Sequence, residues 1–141
     1  MRRQQSKSVV FLTELLLALM IFALCSSICA SLFGLAHRII QESGELSQAV
    51  VLAQSGAEAF KAINSPAGTA TAVQGVLEGS VCMVGYDKTW RVSGLADARY
   101  IMQIQFLEED IVNRASISVQ HQSGEEIFAL EAMTLRAEGR S

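Results

Sequence analysis

Glu14 is the side chain best placed to do chemistry in this sequence. From Val9 to Ala36 the only ionisable side chains are Glu14, Cys25 and Cys29. An acid inside an apolar helix is costly, by roughly 2.5–3.5 kcal/mol for an Asp at a membrane centre and less near the edge. Two readings follow. Glu14 either lies at headgroup level, solvated or protonated, or it meets a positive group of a neighbouring chain and pins the register of an assembly.

The other candidates are weaker. His37 stands where the apolar run ends and reads as interfacial. His121 precedes a turn and reads as solvated. Nothing marks a nucleophile–His–acid arrangement, so the chain reads as a non-enzyme. Glu108-Glu109-Asp110 is an acidic run at a strand connection. It reads as a solvated turn, with a calcium site as the alternative, which would need six to eight oxygens. Cys25 and Cys29, four residues apart, read as packing residues before palmitoylation or a disulfide. Cys82 reads as buried in a strand, and Trp90 as an anchor of a small core. No CxxC pair and no Gly-rich phosphate loop appears, so neither a metal nor a cofactor is expected.

Half of the 141 residues are hydrophobic, 18% are charged, and there is one Pro. That composition excludes a disordered tail, a collagen-like chain and a disulfide scaffold. Residues 1–8 carry Arg2, Arg3 and Lys7 and no acid. Residues 37–141 carry eight Lys/Arg against thirteen Asp/Glu, a balance of −5. Such a surface offers no basic patch to nucleic acid. Leu15–Ala36 has no charge and would span about 33 Å as a helix, enough for a hydrocarbon core. Basic residues before it put the N-terminus in the cytoplasm and the acidic part outside. The segment could be a cleaved signal ending at Gly34-Leu35-Ala36, a plain signal-anchor, or the N-terminal helix of an assembling membrane protein.

These candidates need elements to hold them. Past His37, apolar residues recur at Ile39, Leu46, Val50, Ala53, Ala57 and Phe60, one helical face. Gln41, Glu42, Glu45, Gln48, Gln54, Glu58 and Lys61 fall mostly on the other side. Asn64-Ser65-Pro66-Ala67-Gly68 stops the helix. The chain thus divides into a basic leader 1–8, a transmembrane helix 9–36, an amphipathic continuation 37–63 and a globular β domain 64–141. Unbroken, the helix over 9–63 would measure roughly 80 Å.

Beyond Pro66 the period falls toward two. Ser80–Tyr86 and Lys88–Ser93 read as strands around a turn at Asp87. In Tyr100–Phe106, residues Tyr100, Met102, Ile104 and Phe106 share a face. In Ala115–Gln120, residues Ala115, Ile117 and Val119 point inward. A turn at Ser123-Gly124-Glu125 leads to a last strand over Glu126–Leu135. This is a small antiparallel meander with one buried face, which the amphipathic half of the helix can cover, an α+β class of two layers.

The stretch Phe11-Leu12-Thr13-Glu14-Leu15-Leu16-Leu17-Ala18-Leu19-Met20-Ile21-Phe22-Ala23-Leu24 resembles the F-T-L-x-E-x-L-x-A-L-x-I-F-A pattern of type IV pilin-like proteins. Ala49-Val50-Val51-Leu52-Ala53-Gln54-Ser55-Gly56-Ala57-Glu58 resembles the A-x-x-L-A-x-x-x-x-E stretch of minor pilins and minor pseudopilins. The resemblance implies a pilin-like fold and a minor subunit of a pilus, type II secretion or competence system. Its partners would be the membrane, other pilin-like subunits and an assembly platform, with no direct nucleic-acid contact and no small-molecule substrate. It implies Glu14 as the assembly and register residue, and Phe11, Leu15, Ala18 and Phe22 as part of the membrane helix. The family places Gly before the cleaved bond and Glu fifth in the mature chain. Counting from Glu14, processing would fall between Val9 and Val10, with Val9 in the place of that Gly. The competing expectation is a monomeric signal-anchored domain that binds an extracytoplasmic partner.

Overall fold

The computed structural model describes residues 2–136 and, within them, the side chains from Ser6 onward. A helix, α1, runs over Arg2–Ile63 and a short helix, α2, over Pro66–Ala72. Six strands follow: β1 (Val76–Glu78), β2 (Val81–Tyr86), β3 (Val92–Ser93), β4 (Tyr100–Glu108), β5 (Val112–His121) and β6 (Glu126–Leu135). Two compact units divide the chain, one ending at Glu42 and the other beginning at Ser43.

The first unit is helical, and its described side chains are exposed. The described residues are helical from Arg2 onward, ahead of the apolar run, where Arg, Gln and Lys are good helix formers. α1 is long and apolar enough to cross a membrane. Two hydroxyls in the apolar stretch are satisfied internally. Thr13 Oγ1 donates to the Val9 carbonyl at 2.5 Å, and Ser31 Oγ to the Ser27 carbonyl at 3.0 Å. This i to i−4 bonding removes the need for water at those positions.

The second unit is α+β: the C-terminal part of α1 packs on an antiparallel sheet of order β1-β2-β4-β5-β6, with β3 on β2. Alternation sends Cys82 and Val84 of β2, then Tyr100, Met102, Ile104 and Phe106 of β4, to the helix side. Ala115, Ile117 and Val119 of β5 join them, paired in register with Phe106, Ile104 and Met102. Burying each larger apolar side chain contributes about 1.5–3 kcal/mol. Phe60 meets Phe106 with ring centroids 5.8 Å apart.

The seam of α1 includes the expected Ala53, Ala57 and Phe60 but differs at its other positions. Its buried residues are Ala49, Ala53, Gly56, Ala57 and Phe60, while Leu46 stays 45% exposed and Ile39, in the first unit, is exposed. Large apolar side chains dominate a periodicity reading, but close approach of helix to sheet selects small ones. At Gly56 an added Cβ would stand 3.4 Å from both Ile104 Cδ1 and Met102 Sδ.

Three other local differences have clear causes. Pro66 opens a helix as well as following the end of one. Asn64 takes the left-handed conformation (φ 52°) and closes α1, its N–H donating to the Phe60 carbonyl at 2.7 Å. Ser65 then caps α2: its Oγ accepts from the Gly68 N–H at 3.1 Å, with Pro in the first turn where its missing N–H costs nothing. Lys88–Trp90 forms a turn, not a strand. Asp87 Oδ1 accepts from the Thr89 N–H and hydroxyl, both at 2.7 Å, and from the Arg91 N–H at 3.1 Å. These bonds fold the backbone on itself and leave only Val92–Ser93 for β3. β1 was not anticipated; it pairs with β2 from Val76 opposite Met83 to Glu78 opposite Val81.

Candidate functional site

On α1, Phe11, Leu15, Ala18 and Phe22 are spaced by four, three and four residues, so they lie along one side of the helix. All four are exposed, as are Val9, Val10 and Glu14. Glu14 is three residues from Phe11 and four from Ala18, so its carboxylate edges that apolar stripe. The ion pairs among the described residues are Arg114–Glu109 and Arg114–Glu131, with His121 in addition close to Glu45, and Glu14 belongs to none of these contacts. Of the basic leader, Lys7 is described and exposed. Met1 and the side chains of Arg2 and Arg3 lie outside the described residues. Cys25 and Cys29 are exposed on the same helix. His37 is exposed, its Nε2 3.2 Å from the Gln41 amide nitrogen.

A second constellation was not foreseen. Glu45, assigned above to the solvent side of the helix, faces the sheet instead. Its Oε1 accepts a 2.8 Å hydrogen bond from the Tyr100 hydroxyl, and its Oε2 lies 3.5 Å from His121 Nε2. His121 is therefore half-buried and engaged, not solvated. Tyr100 and His121 are directly opposite in the β4–β5 register, which is what brings them to one carboxylate. Trp90 stacks on the Tyr100 ring, centroids 3.9 Å apart and planes 9° from parallel. Trp90 also has a left-handed backbone (φ 62°), unusual for a bulky residue, set by the Asp87 turn. The guanidinium carbon of Arg99 lies 5.8 Å from the centre of the same ring. Alternation gives the inward side of Tyr100, but no local signal gives the register that adds His121 or the helix position that adds Glu45.

Burial, followed by the bond to Glu45, holds the Tyr100 hydroxyl above the usual tyrosine range. Burial also raises Tyr86, with the neighbouring Cys82 adding to it, and raises the Cys82 thiol. A phenol that keeps its proton more tightly is the reverse of an activated nucleophile. The cluster thus ties the sheet to the helix through a charge-assisted hydrogen bond. The turn bonds from Thr89 and Arg91 hold Asp87 below the usual carboxylate range.

The acidic run sits where β4 meets β5. Glu109 is 3.5 Å from Arg114, and no three His, Cys, Asp or Glu converge as metal ligands among the described residues. Cys82 is fully buried, and Trp90 is a partly buried neighbour of the core. A cavity of about 200 Å³ opens at the end of α1, lined by Phe60, Asn64, Phe106 and Asn113 among others. There Asn113 donates to Asn64 Oδ1 at 3.0 Å, while its own Oδ1 is buried without a partner.

Comparison with protein-family models, with curated proteins and with solved structures finds no match.

Proposed function

We propose that this protein is a non-enzymatic, pilin-like minor subunit that assembles through its N-terminal helix into a filament or the complex at a filament tip. The observation that carries this reading is α1 itself. One helix runs from Arg2 to Ile63, its first part exposed and apolar, and its last part committed to the sheet through Ala49, Ala53, Gly56 and Phe60. A helix apolar all round needs lipid or other helices around it. In this mechanism subunits wait in the membrane, N-terminus in the cytoplasm and sheet outside, and leave it as their helices bundle. Surface that loses its lipid must then be covered by neighbouring copies, at roughly 25 cal/mol per Å² kept from water. Glu14, the one acid in the apolar run, is compensated in the bundle and so sets register.

Replacing Glu14 with Ala tests this. The variant should insert in the membrane at wild-type level yet fail to assemble. Wild-type assembly by Glu14→Ala would overturn the register role. N-terminal sequencing of the mature protein adds a second check, since a start at His37 would remove the apolar part of the helix and with it the whole reading.

A further inference from the structure

β6 is the long edge of the sheet. It pairs with β5 and with no other described strand, whereas β1, at the opposite edge, has three residues. Natural sheet edges are blunted by shortness, lysine, proline or a bulge. β6 runs for 10 residues without Lys or Pro, and its register against β5 is unbroken from Phe128 to Leu135. Its one irregularity lies before Phe128, at the shift between Val119 and Gln120 of β5. The ladder shows which backbone groups are free. The Arg136 N–H donates to the Ile111 carbonyl at 3.0 Å, which makes Val112 and Leu135 a non-hydrogen-bonded pair. Alternation then turns the N–H and C=O groups of Ala129, Glu131 and Met133 away from β5. All three residues are exposed. The Leu135 carbonyl shares that side and accepts from the Asn64 amide at 3.3 Å. Beside this edge lies a groove of about 410 Å³, with Ala57, Glu58 and Lys61 of α1 on one wall and Leu130 and Ala132 of β6 on the other.

We propose that this edge takes up an extended segment of a partner protein as a further antiparallel strand, with a Lys or Arg of the partner opposite Glu131. Strand addition draws its affinity from backbone bonds and its specificity from alternate side chains. The bonds are those of Ala129, Glu131 and Met133. Partner side chains opposite Leu130 and Ala132 enter the groove beside Ala57, where small apolar ones fit. The side chain opposite Glu131 lies on the outer face of the sheet. There Glu131 is 4.0 Å from Arg114, which Glu109 holds more closely at 3.5 Å, so the Glu131 carboxylate is open to a second cation. A second copy of this chain is the poorer occupant. Pairing two β6 edges through the same three residues sets Glu131 against Glu131, and like charges directly opposite destabilise a sheet. The edge and the groove belong to the second unit, so strand addition is independent of the role of Glu14.

The test is amide hydrogen exchange, followed by NMR on isotope-labelled full-length protein in detergent. The probe is a blocked heptapeptide, Ser-Thr-Val-Lys-Val-Thr-Ser, at millimolar concentration. Exchange at the Ala129, Glu131 and Met133 amides should slow several-fold, by mass action. Putting Glu in place of the peptide's Lys should weaken binding about ten-fold, and Glu131→Lys in the protein should reverse that preference. A peptide with Pro at the same place, which has no N–H to pair, should not bind. No slowing at the three amides with the Lys peptide, or full binding of the Pro peptide, would overturn strand addition. Equal binding of the Lys and Glu peptides would overturn the basic partner. Protection of the three amides without peptide, rising with protein concentration, would assign the edge to a second copy instead.

Discussion

The Tyr100 hydroxyl donates a 2.8 Å hydrogen bond to the Glu45 carboxylate, joining β4 to α1 over 55 positions of sequence. Hydrogen bonds to charged acceptors contribute about 1.5–3 kcal/mol. Glu45 keeps partial contact with water, so Tyr100→Phe should cost about 1–2 kcal/mol of stability. Glu45→Gln, which keeps an acceptor, should cost less. Chemical unfolding of the full-length protein in detergent, followed by the fluorescence of the single tryptophan, measures both. Trp90 is a suitable reporter because it stacks on Tyr100. An unchanged midpoint for Tyr100→Phe would show that the bond is not formed.

The same geometry predicts alkaline behaviour. The protein has two tyrosines, Tyr86 and Tyr100, and burial raises both. The folded state therefore holds these protons more tightly than the unfolded chain, whose tyrosines titrate near pH ~10. The resulting stability is fully present below that pH and is lost as pH rises through the folded values. Tyrosinate absorbance should appear at higher pH in the native protein than in denaturant. Coincident titration curves would contradict the burial of both rings.

Much of the sheet was readable from alternation. Tyr100, Met102, Ile104 and Phe106 are buried, and so are Ala115, Ile117 and Val119. β6 has the bounds Glu126–Leu135 expected from its turn and its apolar residues. Alternation works there because one face meets a helix and the other does not. Periodicity was poorer on α1, where Ala49 and Gly56 form the seam and Leu46 does not. It reports a side of an element, not the distance to its partner. The Asp87 turn was placed, but its reach through Trp90 depends on three bonds to one carboxylate oxygen. Glu14 could be singled out because its surroundings are its own sequence neighbours. The Glu45 cluster could not, because it exists only through the pairing of Tyr100 with His121.

Gly75 tests the packing of β1 against β2. A Cβ there would collide with Cys82 Sγ and stand 2.9 Å from Val84 Cγ2 and 3.1 Å from the Met83 carbonyl oxygen. Two of these neighbours are core side chains and the third is backbone, so none yields freely. Gly75→Ala should destabilise by about 1–3 kcal/mol, the usual range for overpacking. It should also expose the Cys82 thiol, which burial protects in the native state. Labelling of Cys82 by a thiol reagent, in a background with Cys25 and Cys29 replaced, should be faster in the variant. Equal rates and equal stability would mean that β1 sits farther from Cys82 than described.

Ser65 tests whether α2 is part of the fold or an incidental turn. Its hydroxyl oxygen accepts from the Gly68 N–H, and its carbonyl accepts from the Thr69 N–H and hydroxyl at 2.9 and 2.8 Å. Thr69 and Ala70 are buried, so the cap holds a helix that the core uses. Loss of a cap hydroxyl costs about 0.5–2 kcal/mol, whereas Asp can take the same role. Ser65→Ala should therefore lower stability by about 1 kcal/mol and speed amide exchange in Pro66–Ala72, while Ser65→Asp should do neither. If Ser65→Asp behaved like Ser65→Ala, the hydroxyl would matter through its size, not through the orphaned amides at the start of α2.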